Sequence, residues 1–193
     1  MMKSTDKYAV VVMGASAGGI QTLSNILARL NSEFQLPILI VQHISPDQMD
    51  VFTKSLMPGC PLQICEAEDK ISVRPGCIYF APPNYHMLLD GDGTVSLSVD
   101  ERIHYSRPSI DVLFESAAYV LGDKCVGILL TGANEDGSEG LCKIRDEGGL
   151  TAVQDPRTAS NPYMPEAALK QCDGHQVLSV DEIAELLNSL SSC

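Results

Sequence analysis

"VVMGASAGGI", residues 11–20, is the stretch on which the fold turns. A β-branched run ends in a cluster of small residues around one serine. Val11 and Val12 suit a strand buried on both faces. Gly14, Gly18 and Gly19 permit a sharp turn into the helical pattern at Ile20–Leu30. A buried strand that turns at once into a helix is the unit of a parallel α/β sheet. The turn has two chemical readings. It can cradle a phosphate, or it can hold a nucleophilic serine up to a substrate.

Outward from this turn the pattern repeats. Tyr8–Met13 reads as a strand, and Ile38–Val41 as a second, followed by a helix at Asp47–Leu56. Leu62–Glu66 and Cys77–Phe80 read as short strands. "HMLLDGDGTVSLSV" reads as a hairpin around Asp90-Gly91-Asp92-Gly93. A helix follows Pro108 as far as Leu121. Cys125–Leu130 is a continuous apolar strand, with a helix at Glu139–Glu147. Leu150–Val153 and Gln176–Val180 are further strands, and Pro165–Gln171 and Asp181–Leu190 short helices. The expectation is one α/β domain, its parallel sheet covered on both faces, with a small antiparallel hairpin inserted.

The chain has 193 residues, is 45% hydrophobic and carries a formal net charge of −12. Such a surface repels nucleic acid. Apolar runs such as "AVVVM" are far short of a membrane span, and the start lacks an export signal. A soluble, cytoplasmic protein is expected. Of seven cysteines, none forms a C-x-x-C pair, and several lie in apolar runs. They read as reduced, small hydrophobes, not as a zinc site.

Ligands of such sheets bind beyond the carboxyl ends of the strands. Three loops lie there. Gly14-Ala15-Ser16-Ala17-Gly18 fits G-x-S-x-G. Gln42-His43 follows the second strand, and Thr131–Gly137 follows the strand at 125–130. A dinucleotide loop would need an acidic residue where His43 stands. It would also need a tyrosine with a lysine four residues on, and no tyrosine here has one. A serine hydroxyl needs a base, which neutral His43 can supply. The base needs a carboxylate. Asp136, Glu135 and Asp155 all qualify, and spacing does not choose among them. His86, His104 and His175 read as structural or peripheral.

These residues resemble the catalytic domain of CheB, the chemotaxis protein-glutamate methylesterase. "GASAGG" resembles the nucleophile motif, "VQHI" the histidine motif and "LLTGANEDGSEG" the aspartate motif. "PGCIYFAPPNYHMLL", "RPSIDVLFESAA" and "TAVQDPRTASNPYMPEAAL" resemble three further segments in the same order. The resemblance covers nearly the whole chain. It implies an open, doubly wound, mostly parallel, Rossmann-like three-layer sheet. It implies Ser16 as nucleophile, His43 as base and Asp136 as orienting acid, with the Ala17 N–H supporting the oxyanion. The implied reaction is hydrolysis of glutamyl methyl esters on chemoreceptor helices, with deamidation of receptor glutamines. No cofactor or metal is needed.

Ala133-Asn134 stands where Met-Gly is usual in the family, and Ala17 where threonine is common. Family members often carry a receiver domain first. With the first strand starting at about residue 8, a single catalytic domain over 1–193 without a receiver is expected, either as a fragment or as a protein without that control, and active without a phosphodonor. Activity is expected to rise as His43 loses its proton. A separate regulatory protein is a candidate partner. Arg74, Arg102, Arg107 and Arg157 are candidates for docking acidic receptor helices. Two other readings remain: a catalytically silent interaction module, and an esterase acting on another ester.

Overall fold

The computed structural model describes residues 7–45, 54 and 58–190. The helix expected at Asp47–Leu56 lies outside the described residues apart from Lys54. The first strand, β1 (Val10–Ala15), is flanked by β2 (Ile38–Gln42) and β7 (Cys125–Leu129). Beyond β2 lie β4 (Cys77–Phe80) and β3 (Gln63–Glu66). Beyond β7 lie β8 (Leu150–Gln154) and β9 (Gln176–Leu178). The order is β3-β4-β2-β1-β7-β8-β9, and every pairing is parallel.

β1 starts at Val10 and runs on through Ala15, two residues later at each end than its apolar pattern suggests. The cause is pairing on both sides. Gly14 is in register with both Val41 and Leu129, which holds the small residues in the sheet until the turn.

Alternate residues of β1 feed two cores, as a period of two requires. Val11, Met13 and Ala15 face helices α1 (Gly19–Leu27) and α5 (Val180–Leu190), through Leu23, Ile26, Ile183 and Leu187. Val10 and Val12 face α2 (Ile110–Leu121), α3 (Ser138–Asp146) and α4 (Tyr163–Gln171). From α2, Ile110, Leu113 and Phe114 are fully buried, each burial worth about 1.5–3 kcal/mol. This anchors the start of α2, which the site uses.

The hairpin pairs β5 (His86–Leu89) with β6 (Val95–Ser98) as a separate antiparallel sheet. Its Met87, Leu89 and Val95 belong to the α2 core, and the Leu89 N–H donates to Ser116 Oγ at 3.0 Å. Among the described residues no helix is long and apolar enough to cross a membrane.

One sequence expectation is corrected. The cysteines are not all thiols: Cys142 on α3 is disulfide-bonded to Cys172, just past α4, with the Cα atoms 6.1 Å apart. The two helices pack side by side, which a separation of 30 residues does not reveal. Cys60, Cys65, Cys77 and Cys125 are free thiols.

Candidate active site

The chain leaves β1 toward β2 and later returns to the other side of β1 as β7. At that reversal the loops on either side diverge and leave a crevice. Ser16 follows β1, His43 follows β2, and the loop at 131–137 follows β7.

Local sequence sets the turn. Gly18 has φ 80°, a left-handed conformation, and a Cβ there would stand 2.5 Å from Ser160 Cβ. Only glycine meets both demands. Helix α1 then starts with no side-chain cap and no acidic residue in its first turn. The N–H groups of Ala17 and Gly18 have no protein acceptor among the described residues. They form a patch of unsatisfied donors beside Ser16.

Hydrogen bonds hold this turn against its neighbours. The Ser16 N–H donates to Thr131 O at 2.9 Å, and the His43 N–H to Ala15 O at 3.1 Å. Gln42 Nε2 donates to Ser16 O at 2.9 Å and to His43 O at 3.0 Å. Thr131 Oγ1 donates to Ala17 O at 2.8 Å and accepts from the Asn161 N–H at 2.9 Å.

His43 Nδ1 lies 3.2 Å from Ser16 Oγ, and Nε2 lies 2.8 Å from Asp136 Oδ2. An ionised carboxylate only accepts hydrogen bonds. Nε2 therefore carries the ring proton, and Nδ1 presents its lone pair to the serine hydroxyl.

Asp136 is fully buried. Burial alone would raise its pKa. The bond from His43 and the N–H groups of Asp111 and Ile110 outweigh burial and hold it below the usual carboxylate range. Ser109 Oγ donates at 2.8 Å, the Ile110 N–H at 2.8 Å and the Asp111 N–H at 3.0 Å. The carboxylate thus sits on the open N-terminal turn of α2, where donors and dipole both favour negative charge.

The other two carboxylates that spacing allowed are elsewhere. Glu135 Oε1 is 3.6 Å from His104 Nδ1. Asp155 Oδ2 pairs with Arg157 Nη2 at 2.6 Å, beside a 3₁₀ turn at Pro156–Thr158. Neither bonds His43 among the described residues.

Sequence reasoning missed the support behind Asp136. His86, read there as structural or peripheral, is buried. Its Nδ1 accepts from the Ser109 N–H at 3.1 Å, and its Nε2 donates to Glu101 O at 3.0 Å. Ser109 caps α2 in position, but its hydroxyl goes to Asp136 rather than to its own helix. "RPSID" shows a helix start. It does not show that a carboxylate from another loop docks there.

Asp111 is the second buried acid. Its Oδ1 accepts from the Gly140 N–H at 2.7 Å, while Oδ2 is buried without a hydrogen bond and lies 3.4 Å from His104 Nε2. Burial, aided by the nearby Asp136 charge and only partly opposed by the Gly140 N–H and His104, pushes its pKa up to about 6. An unfolded chain's aspartate titrates near about 3.9. Asp111 therefore favours the fold most below that pH, and the advantage is lost as pH rises through about 6. Asp111→Asn is expected to stabilise the protein at pH 8 by up to about 3 kcal/mol relative to its effect at pH 4. Urea unfolding at the two pH values measures the difference; an equal effect at both would contradict the assignment.

Of the four arginines singled out as docking candidates, Arg157 is paired with Asp155. Arg107 Nη1 donates to the Val99 and Asp100 carbonyls at 2.7 and 2.9 Å. Arg74 carries a backbone N–H bonded to Tyr79 Oη. Arg102 Nη1 donates to Tyr105 O at 3.4 Å, and Arg102 and Arg107 both line a depression that adjoins the crevice at His43 and Ile44.

A family model described as CheB methylesterase matches residues 11–187. A putative protein-glutamate methylesterase/protein-glutamine glutaminase of Leptospira interrogans is 48% identical over 179 residues, 93% of each chain. A protein-glutamate methylesterase/protein-glutamine glutaminase of Syntrophus aciditrophicus is 35% identical over 91% of this chain, which spans 52% of that longer relative. The crystal structure of the Thermotoga maritima CheB methylesterase catalytic domain superposes with a TM-score of 0.88 at 32% identity, covering 95% of this chain and 98% of that one. Sequence and architecture agree over nearly the full length, and the chain belongs to the CheB methylesterase family.

Proposed function

We propose that Ser16, His43 and Asp136 hydrolyse glutamyl methyl esters on the cytoplasmic helices of chemoreceptors, and deamidate receptor glutamines at the same site. By family the chain is a protein-glutamate methylesterase, a hydrolase acting in chemotaxis. The observation that carries the catalytic reading is the unbroken contact series Ser16 Oγ, His43 Nδ1, His43 Nε2, Asp136 Oδ2.

The chemistry follows from that geometry. His43 Nδ1 takes the Ser16 proton as Oγ attacks the ester carbonyl carbon. The Ala17 N–H, at the start of α1, holds the developing oxyanion; losing one such donor costs roughly 3–4 kcal/mol. Nδ1 then gives its proton to the departing methoxide, which leaves as methanol. The glutamyl–Ser16 ester is hydrolysed by water, with Nδ1 again as base. For a glutamine the leaving group is ammonia and the acyl-enzyme is the same. Asp136 stays ionised and holds the imidazolium formed in each half-reaction.

The crevice is an open depression, walled by Ser16, Ala17, Gln21, His43, Ile44 and Ser160. That shape suits a side chain presented on a helix rather than an enclosed small molecule. Arg102 lines the adjoining depression beside Arg107, a cation on a chain of net charge −12, and docks the acidic residues of a receptor helix. Arg102→Ala is expected to raise KM several-fold, on the order of 1 kcal/mol, with kcat little changed. Steady-state methanol release read at varied receptor concentration separates the two parameters. A fall in kcat alone would place Arg102 in the chemistry instead.

The reading as a whole is tested with a methyl-esterified cytoplasmic fragment of a chemoreceptor. Methanol release with many turnovers per chain is expected. Receptor binding without turnover would favour the silent interaction module.

A further inference from the structure

We propose that Cys142 and Cys172, with His175 beside them, form a thiol–disulfide exchange site that reversibly cross-links α3 to the end of α4. Three observations meet there. The two sulfurs are joined in this structure across 30 residues of sequence. His175 Nε2 lies 3.2 Å from Cys172 Sγ. The same ring is held from its other side, with Nδ1 2.8 Å from Thr151 Oγ1. A disulfide that only braces two helices has no use for an imidazole against one sulfur. A pair that opens and closes does, because each exchange step needs a thiolate and so a proton acceptor.

The ring is suited to that role. Burial, with help from the Arg145 charge, holds its pKa below the usual histidine value, against an opposing pull from Asp173. The imidazole is therefore neutral near pH 7. With its proton on Nδ1, toward the Thr151 hydroxyl, Nε2 keeps a lone pair facing the Cys172 sulfur. Cys172 and His175 are each only partly buried, so a small disulfide can reach the Cys172 sulfur. Cys77 and Cys125 are buried and lack such access, and burial pushes the Cys125 thiol up to about 12. In the cytoplasm, where the proposed receptor helices lie, a disulfide of this kind is made and broken rather than permanent.

The exchange balances with a small-molecule disulfide as the oxidant. Nε2 of His175 takes the Cys172 thiol proton. The thiolate attacks one sulfur of the external disulfide, forming a mixed disulfide and expelling a thiolate that is then protonated. The Cys142 thiolate attacks Cys172 Sγ, closing the protein bond and expelling the second thiol. Two protein thiols lose two electrons and two protons, and one external disulfide becomes two thiols. Excess external thiol drives the reverse.

The link joins helices that both attach to the loop carrying Asp136. α3 follows Asp136 and Gly137 directly, and the Met164 N–H near the start of α4 donates to Gly132 O at 3.0 Å. The test uses the full chain, reduced with dithiothreitol, desalted and exposed to oxidised glutathione at pH 7. Peptide mapping after acid quench is expected to show the Cys142–Cys172 link forming, and reopening with reduced glutathione. Cys142→Ser is expected to stop at a mixed glutathione disulfide on Cys172. His175→Asn and His175→Gln are expected to slow modification of Cys172 by about fivefold or more, with Cys60 unchanged as the internal reference. Three results would overturn the site: Cys172 reacting no faster than Cys60, a link that excess dithiothreitol does not open in the folded protein, or tight uptake of one zinc ion by the reduced chain through these three side chains.

Discussion

Ser16→Ala is expected to lower methanol release by about 10⁴-fold or more while leaving the protein folded. The hydroxyl supplies the only atom proposed to bond the substrate covalently, and removing a triad nucleophile costs losses of this order. The fold is expected to keep its stability within about 0.5 kcal/mol, since Ser16 is partly exposed on a turn fixed by backbone bonds. Those bonds, from the Ser16 N–H to Thr131 O and from Gln42 to Ser16 O, do not involve the hydroxyl. The loss does not add to that at His43. Without the nucleophile the base has nothing to activate, so Ser16→Ala/His43→Ala is expected within a few-fold of either single variant, roughly the non-additivity of such units. A folded Ser16→Ala protein with near-normal turnover would remove the serine from the mechanism.

Asp136→Asn carries the second large effect, about 10⁴-fold in kcat, against a few-fold at most for Glu135→Gln. The reason is the proton on His43. Asp136 Oδ2 accepts from Nε2, which leaves Nδ1 as the lone pair facing Ser16. The asparagine amide has one acceptor oxygen, and the N–H groups of Ile110 and Asp111 and the Ser109 hydroxyl compete for it. Its NH₂ is left to face Nε2. The ring then keeps its proton on Nδ1, pointing a donor at the hydroxyl it should deprotonate. Some loss of stability accompanies this, because the start of α2 loses a charge it surrounds with donors. Comparing kcat of both variants at one pH, with thermal melts as a control, decides the matter. A larger loss from Glu135→Gln would move the role to Glu135.

The parts of the fold legible in the sequence were those set by local pattern. β1, β2 and β7 are continuous apolar runs because both sheet faces are covered, and a run buried on both faces needs no partner to be recognised. The hairpin was legible in its Asp-Gly turn. Strand ends were less so: Gly14 and Ala15 are held in β1 by neighbours on both sides, which no window of residues 8–15 contains. The carboxylate was open among three residues by spacing alone. Adjacent positions on a glycine-flanked loop differ only in which way the loop turns, and that is set by the start of α2. For the same reason His86 and Ser109 went unrecognised as support, and the Cys142–Cys172 pairing followed only from the packing of α3 on α4.

The most direct measurement is titration of the protein with an alkyl fluorophosphonate while methanol release from a methyl-esterified receptor fragment is followed. Activity is expected to fall in proportion to modification, reaching zero at one equivalent, with the phosphonyl group on the peptide that contains Ser16 and no modification in Ser16→Ala. Methanol release that continues after Ser16 is fully modified, or inactivation through a different residue, would contradict the proposal that Ser16 attacks the ester.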